Sequence, residues 1–349
     1  MSKLTNFKRF LKKHWKPLVA TLVILVVAGS AWALQLKPES NGNRIDRNTS
    51  SQEEAPITEA APLTGIEVTP DIARQPVTAV IIENSPNARP QSALNAADIV
   101  FEAVTEGGIT RFLAFFQQQN PGKIGPVRSL RPPFLDWIMG FDAPFAHVGG
   151  SAQALQLAAQ RGAKSLNQFS NGDAYYRSND RVAPHNMYTS ISSLRALQKS
   201  RGYKPSSFKK IPRSDDAPAA EPVATRITVD FSSSLYQAQF HYQAENNSYS
   251  RYLAGSPHID RETGEAIETK NVIIIKMPSR QNGQYVEMDT IGSGDAVLFK
   301  DGTSRNIRWR QSSYNDRIEL LDGEGAEIKL NRGKSWFSIL PSGRTLTVE

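Results

Sequence analysis

From about residue 75 onward, short apolar runs alternate with Gly, Pro and Asn breaks. The runs "VTAVIIEN" (Val77 to Asn84) and "TRFLAFFQ" (Thr110 to Gln117) are β-branched or aromatic and bounded by polar residues, so they predict buried strands. "ADIVFEAV" (Ala97 to Val104) fits a strand or a helical turn. "PPFLDWIMGFD" (Pro132 to Asp142) opens on Pro and spaces Phe134, Leu135, Ile138 and Met139 at helical intervals. "APFAHVGGS" (Ala143 to Ser151) predicts a short strand ending in a glycine pair. "SAQALQLAAQRG" (Ser151 to Gly162) and "SISSLRALQKSRG" (Ser190 to Gly202) predict helices with Ser at the N-cap and Gly at the end.

Beyond the loop-like "KKIPRSDDAPAAEPVAT" (Lys209 to Thr225) the texture changes. "RITVDFS", "AQFHYQA", "NVIIIKM", "DAVLFKDGTSRNIRWR" and "KSWFSIL" are strand-like, and "KDGT" and "DGEG" signal hairpin turns. "GSGD" (Gly292 to Asp295) reads as a turn as well. The expected fold class is an α/β domain over residues 75–211, a linker over 212–225 and a mostly-β domain over 226–349. No internal repeat is visible.

Charge places the chain outside the cytoplasm. The net charge is +7, yet Lys3, Lys8, Arg9, Lys12, Lys13, Lys16 and Lys37 precede the first acidic residue, Glu39. Everything after Lys37 is therefore formally neutral, which argues against nucleic acid as a partner of the folded part. Residues 1–17 form a basic tail, and Leu18 to Leu36 carry no charge, long enough to cross a hydrocarbon core. The positive-inside rule keeps the tail cytoplasmic and puts the rest outside. Ala31-Trp32-Ala33 also has the form of a signal-peptide cleavage site, which would instead release the protein near Ala33. Residues 37–74, rich in Ser, Asn, Glu, Thr, Ala and Pro, read as a flexible tether. The chain has no cysteine, which excludes disulfides, thiolate zinc sites and lipid attachment through a lipobox.

The polar residues that cost most to bury cluster before residue 190: Glu83, Asn84, Arg89, Asp98, Glu102, Glu106, Arg111, Arg128, Arg131, Asp136, His147, Arg177, Arg181 and His185. Many follow strands or adjoin Gly or Pro, and strand ends of an α/β sheet are where ligands bind. Arginine suits bidentate capture of phosphate or carboxylate. The pattern therefore points to an anionic-ligand site in which Arg89, Arg111, Arg128, Arg131, His147, Arg177 and Arg181 bind. Asp98 would hold a divalent cation such as magnesium or activate an acceptor, Glu102 would support it, and His185 would shuttle a proton. The bland alternative is that these arginines satisfy nearby carboxylates inside the domain. "HVGGS" lacks the nucleophile elbow, so Ser151 reads as a helix cap. Tyr242, Tyr249, Tyr252, Trp309 and Trp336 suit either a β-sheet core or a sugar-stacking platform.

Taken in order, "RQPVTAVIIENSPNARPQSALNAADIVFEAVTEGGITRFLAFFQ", "KIGPVRSLRP", "HVGGSAQAL", "RVAPHNMYTS", "GSGDAVLFKDG" and "LNRGKSWFSILP" resemble the YerB-like lipoprotein family, from about residue 74 to the end. That resemblance implies a two-domain, surface-exposed envelope protein and leaves its chemistry open. The order of parts is also similar to the LytR–CpsA–Psr phosphotransferases, which move glycopolymers from a polyprenyl pyrophosphate carrier to the cell wall. The similarity would match Asp98, Arg128 or Arg131, Gly149 with Gly150, and Arg177 with Arg181 to parts of that site, although "PVRSLRP" replaces the usual "PRD". These readings imply binding, and in the catalytic version transfer, of a phosphorylated or pyrophosphate-linked envelope precursor such as a polyprenyl-linked cell-wall glycan. The rival expectation is a non-catalytic scaffold that docks another envelope protein. A third is a hydrolase using His147 and His185 around a metal.

Overall fold

The run "VTAVIIEN" becomes strand β1 (Thr78–Glu83), with all six residues buried. "ADIVFEAV" becomes β2 (Ile99–Val104) and "TRFLAFFQ" becomes β3 (Thr110–Phe116), both buried along their whole length. Unbroken burial, rather than alternation, marks strands covered on both faces. The structure, a computed structural model, describes residues 57–349, and they form one unit. The expected cytoplasmic tail, membrane-spanning stretch and first part of the tether lie outside the described residues. Among the described residues, no helix is long and apolar enough to cross a membrane.

Seven further strands complete a ten-stranded sheet: β4 (Phe145–His147), β5 (Ser165–Asn167), β6 (Asn271–Met277), β7 (Gly292–Lys300), β8 (Thr303–Gln311), β9 (Glu319–Leu321) and β10 (Ser335–Pro341). The order is β9-β8-β7-β6-β10-β2-β3-β1-β4-β5. The N-terminal region is mixed α/β and the C-terminal region mostly β, and the two share this sheet. β10 pairs in parallel with β2, with Phe337 opposite Phe101 and Ser338 opposite Glu102. A second sheet joins Arg226–Asp230, Gln237–Gln243, Ser248–Leu253, Ser256–Pro257, Glu268–Thr269 and Leu346–Val348.

The two faces of the large sheet bury different things. On one face Phe101 stacks on Phe337 at 4.5 Å and on Trp137 of the Pro132–Met139 helix at 5.4 Å. On the other, Trp336 meets Phe112 at 5.5 Å and Phe240 of the second sheet at 6.1 Å. Trp309, Trp336 and Tyr249 are sealed from solvent, so these aromatics serve the core rather than a sugar platform. Each buried aromatic of this kind contributes roughly 1.5–3 kcal/mol by apolar burial.

The helices start where the sequence marks them. Ser151 Oγ accepts from Ala154 N at 3.2 Å and Ser190 Oγ from Ser193 N at 3.1 Å, each worth about 1 kcal/mol. Both helices end at a glycine of positive φ, Gly162 at 62° and Gly202 at 66°. "KDGT" closes the β7–β8 hairpin, with Asp301 and Gly302 both at positive φ.

Three local readings change. "GSGD" is not a turn but the start of β7, where a Cβ on Gly294 would come within 2.7 Å of Trp309 Nε1. The folded unit also begins before Gln75. Glu59–Ala60 pairs with Glu67–Val68, Pro70–Ala73 is helical, and Leu63 is fully buried. The segment read as a linker is laid against the body. Arg213–Ser214 pairs in parallel with Leu330–Asn331, and Arg213 donates to Leu63 O, Asn331 O and Gly333 O.

Candidate functional site

β1, β2, β4, β5, β6 and β10 all run in one direction, so their C-terminal ends share one edge of the sheet. β1 ends there at Glu83, β2 leads there to Glu106, and antiparallel β3 begins there with Thr110 and Arg111. Glu83 and Arg111 are register partners. The "KIGPVRSLRP" segment crosses this edge, held by Arg128 N to Ile81 O at 2.9 Å, Glu83 N to Pro126 O at 2.9 Å and Val148 N to Arg128 O at 3.0 Å. Gly–Pro text and an extended backbone keep it out of helix until Pro132, so Arg128 and Arg131 are delivered beside Arg111.

Three guanidiniums share two carboxylates at this edge. Arg131 grips Glu106 in bidentate fashion, Nε to Oε2 at 2.9 Å and Nη2 to Oε1 at 2.7 Å. Arg111 donates to the same Glu106 Oε1 and, through Nη1, to Ser129 O at 2.8 Å. Burial pushes the Arg111 guanidinium down to about 10; Glu106 works against that, and the charges of Arg131 and Arg128 add to it. Burial also works to raise the Glu106 carboxyl, but Arg111 and Arg131 outweigh it and hold the carboxyl below the usual range.

Glu83, 3% exposed, organises the second half of the site. Its Oε1 accepts from Ser85 Oγ at 2.7 Å and from His185 Nδ1 at 2.9 Å, and it lies 3.3 Å from Arg128 Nε. A carboxylate at Nδ1 selects the tautomer that leaves the lone pair on Nε2. The His185 side chain is one-fifth exposed, and among the described residues its Nε2 has no hydrogen-bond partner. Arg128 is ion-paired to Glu83 without a hydrogen bond at Nε, and its two Nη groups also have no hydrogen-bond partner among the described residues. A buried carboxylate thus fixes two solvent-reaching groups side by side. One is an open guanidinium fork, suited to a phosphate or carboxylate, and the other an imidazole nitrogen, suited to taking or giving a proton.

Of the residues given roles from the sequence, Arg111, Arg128, Arg131 and His185 come together here. The others do not join them. Arg89 donates to Asn84 O at 3.0 Å and Leu235 O at 2.9 Å, and Arg181 donates to Ala88 O and Pro90 O, so both brace the loop after β1. Arg177 donates to Asn186 Oδ1 at 2.7 Å. His147 is buried between Gly149 O and Ser165 Oγ, both at 2.7 Å, and burial pushes its imidazole down to about 4. Asp98 precedes β2 at the opposite edge of the sheet, about 20 Å from the end of that strand. There its Oδ2 accepts the backbone N–H of Gln117 at 2.6 Å and of Gln118 at 3.2 Å, and burial pushes its carboxyl up to about 6. Glu102 faces the second sheet and binds the fully buried Arg251 at 2.7 Å. Among the described residues, no group of three His, Asp or Glu side chains is arranged to hold a metal ion.

Glu83 and Glu106 are the organising residues that carry no assigned role in the sequence reading. Their signals were a carboxylate closing an apolar run in "VIIE" and another before a Gly–Gly turn in "VTEGG". Beside Arg131, a cavity of about 490 Å³ lies between the first turn of the Pro132–Met139 helix and the hairpin Ser279–Asn282/Tyr285–Met288. Val104, Pro133, Phe134 and Met288 line it, and the Arg131 guanidinium lies 5.4 Å from the Tyr285 ring centroid.

Comparison with known proteins places this architecture. Residues 63–204 match the N-terminal domain, and residues 227–337 the C-terminal domain, of a protein family of unknown function, DUF3048. YerB of Bacillus subtilis (strain 168), which carries a provisional lipoprotein name, is 34% identical over 291 residues, covering 80% of this chain and 86% of YerB. The crystal structure of the Bacillus subtilis YerB protein superimposes with a TM-score of 0.75 at 30% identity, covering 83% of this chain and 99% of that one. The chain therefore belongs to the DUF3048 family, the family of YerB.

Proposed function

We propose that this is a membrane-anchored, extracytoplasmic envelope protein that binds a phosphorylated or pyrophosphate-linked envelope precursor at the C-terminal edge of its large sheet. The anchor would be the uncharged stretch Leu18 to Leu36, because the chain has no cysteine to carry a lipid. The lipoprotein name of YerB supports an envelope location by a different anchor. The observation that carries the ligand reading is the open fork of Arg128 beside the free Nε2 of His185, both set on Glu83. In this reading Arg128 takes the phosphate oxygens and His185 exchanges a proton with the bound group. Arg111 and Arg131, spent on Glu106, shape the site and supply field rather than contact.

The docking reading has one specific observation in its favour. Phe169 is 76% exposed, and its ring lies where a Cβ on Gly149 would come within 2.9 Å. A single apolar side chain is a small anchor, and the charged site is the stronger feature.

A thermal-shift titration of the full chain in detergent tests the proposal, using inorganic pyrophosphate and polyprenyl phosphates with and without magnesium. Binding raises the melting temperature by mass action. The response should vanish in Arg128→Ala; an equal response in wild type and variant overturns the reading.

A further inference from the structure

A separate groove has none of Glu83, Glu106, Arg111, Arg128, Arg131 and His185 in its lining. It encloses about 1000 Å³ between Ala93–Ala96 and Gln119–Lys123 on one side and Asp260–Glu268 on the other, with Lys334 on its wall. Lys334 is half-buried at the start of β10. Its backbone is fixed, since Lys334 O accepts from Thr269 Oγ1 at 2.9 Å and from Lys270 N at 3.1 Å. Its amine donates to one protein acceptor, Leu94 O at 2.6 Å, and has no carboxylate within ion-pair distance among the described residues. The other lysine of the groove, Lys123, is ion-paired to Asp180 at 3.2 Å and lies 3.7 Å from Glu262.

We propose that this groove is a second ligand site in which the Lys334 amine captures a polyhydroxylated aldehyde, an open-chain sugar, as an imine. The lysine is held in place, lacks a salt bridge and opens onto a cavity large enough for a small polar molecule. Gln119 and Glu265 line the same groove with side chains that make no hydrogen bond among the described residues, and Thr263 adds a hydroxyl. Amides, carboxylates and hydroxyls are the partners that sugar hydroxyls need. Burial pushes the Lys334 amine down to about 8, while the facing carboxylates of Asp260, Asp98 and Glu268 work in the opposite direction. With the amine at about 8, roughly a tenth of it is uncharged at pH 7, where an ordinary lysine is almost wholly protonated.

The step balances without a further reactant. The amine lone pair adds to the carbonyl carbon, the carbonyl oxygen gains a proton and the nitrogen loses one, giving a carbinolamine. Expulsion of the hydroxyl as water forms the C=N bond, and water reverses it.

The test is reductive trapping on the full chain in detergent, with D-erythrose and sodium cyanoborohydride at about pH 7.5, followed by peptide mapping. Lys334 should be alkylated about tenfold faster than the exposed Lys329, with a rate that rises through about pH 8. The ratio of Lys334 to Lys329 labelling should be lower with propanal, which lacks hydroxyls, than with erythrose, the ratio cancelling the different free-aldehyde content of the two reagents. Labelling of Lys334 no faster than Lys329 with erythrose overturns the site, and equal ratios with propanal and erythrose overturn the sugar class. Lys334→Arg should remove only the rapid modification; because the wild-type map already decides the question, poor folding of that variant does not protect the proposal.

Discussion

Glu102 and Arg251, 149 positions apart in the chain, meet at 2.7 Å between the two sheets with both side chains sealed from solvent. The pair is not alone. Glu102 also accepts from Thr110 Oγ1 at 3.1 Å, Thr110 accepts from Asn84, and Gln91 bridges Asn84 to His258. Trp336, Phe112 and Phe240 surround the guanidinium, with Trp336 nearest at 4.7 Å. A charge caged this way is tolerable only while its partner stays. Arg251→Met should destabilise the fold by about 3–5 kcal/mol, because Glu102 is left buried and uncompensated. Glu102→Leu with Arg251→Met should recover most of that loss. Urea unfolding of both variants checks it, and a double variant as weak as the single one would refute the account.

The arginines at the sheet edge should separate by their partners. Arg131 supplies both hydrogen bonds of a bidentate clamp on Glu106, so Arg131→Ala should cost about 2–3 kcal/mol. Arg128 lies 3.3 Å from the buried Glu83 without a hydrogen bond at Nε and is itself a quarter exposed, and Ser85 and His185 also hold that carboxylate, so Arg128→Ala should cost less, about 1 kcal/mol. Chemical denaturation of the two single variants measures the difference. A large cost for Arg128 would make it structural and remove it as a free clamp.

That contrast also marks how far the sequence could be read. The helices were legible because Ser151, Pro132, Ser190, Gly162 and Gly202 act locally, through caps, a fixed φ or a positive φ. The strands were legible because β1, β2 and β3 are unbroken apolar runs. Unbroken burial hides facing, however. Nothing in "IVFEAV" says that Glu102 faces the second sheet while its neighbour Ala103 lies opposite Arg111. The placement of Asp98 needed strand direction as well, since a strand that starts at one edge puts its first and last residues about 20 Å apart. Arg89, Arg177 and Arg181 looked the same as Arg128 in the text, but backbone carbonyls and Asn186 claim them.

Acid should weaken the fold through His147. Its Nδ1–H donates to Gly149 O and its Nε2 accepts from Ser165, a pattern suited to the neutral ring, and burial holds the imidazole at about 4. Between pH 6.5 and about 4 the unfolded chain takes up a proton that the folded chain refuses, so stability falls by up to about 3 kcal/mol. Asp98 works the other way. Burial lifts its carboxyl to about 6, so the folded state takes a proton first and gains stability as pH drops below that value. Asp98→Asn removes this gain, and its stability should fall more steeply with acid than that of wild type. Urea midpoints across this pH range decide it, and parallel curves would contradict the assignment.

Location can be tested on a clean background, because the chain has no cysteine. Val223 is 70% exposed, so Val223→Cys should leave the fold unchanged. In intact cells the variant should react with a membrane-impermeant maleimide, while wild type stays unlabelled. Labelling only after lysis would place the folded unit in the cytoplasm and reverse the orientation inferred from the basic tail.

Glu83 offers the sharpest test of the edge site, because it holds Arg128 and also competes with any anion for it. Glu83→Gln keeps an acceptor for His185 Nδ1 and Ser85 while removing the negative charge 3.3 Å from Arg128 Nε. At an effective dielectric near 20, losing a like charge so close to a bound anion is worth at least about 1–2 kcal/mol after screening, so pyrophosphate should bind about tenfold more tightly. The gain should shrink with added salt and vanish when Arg128→Ala is combined with Glu83→Gln. Isothermal titration at two ionic strengths measures both effects. Weaker binding in Glu83→Gln would mean that the carboxylate serves the ligand directly, through a proton or a hydroxyl, and that the guanidinium fork is not where the anion sits.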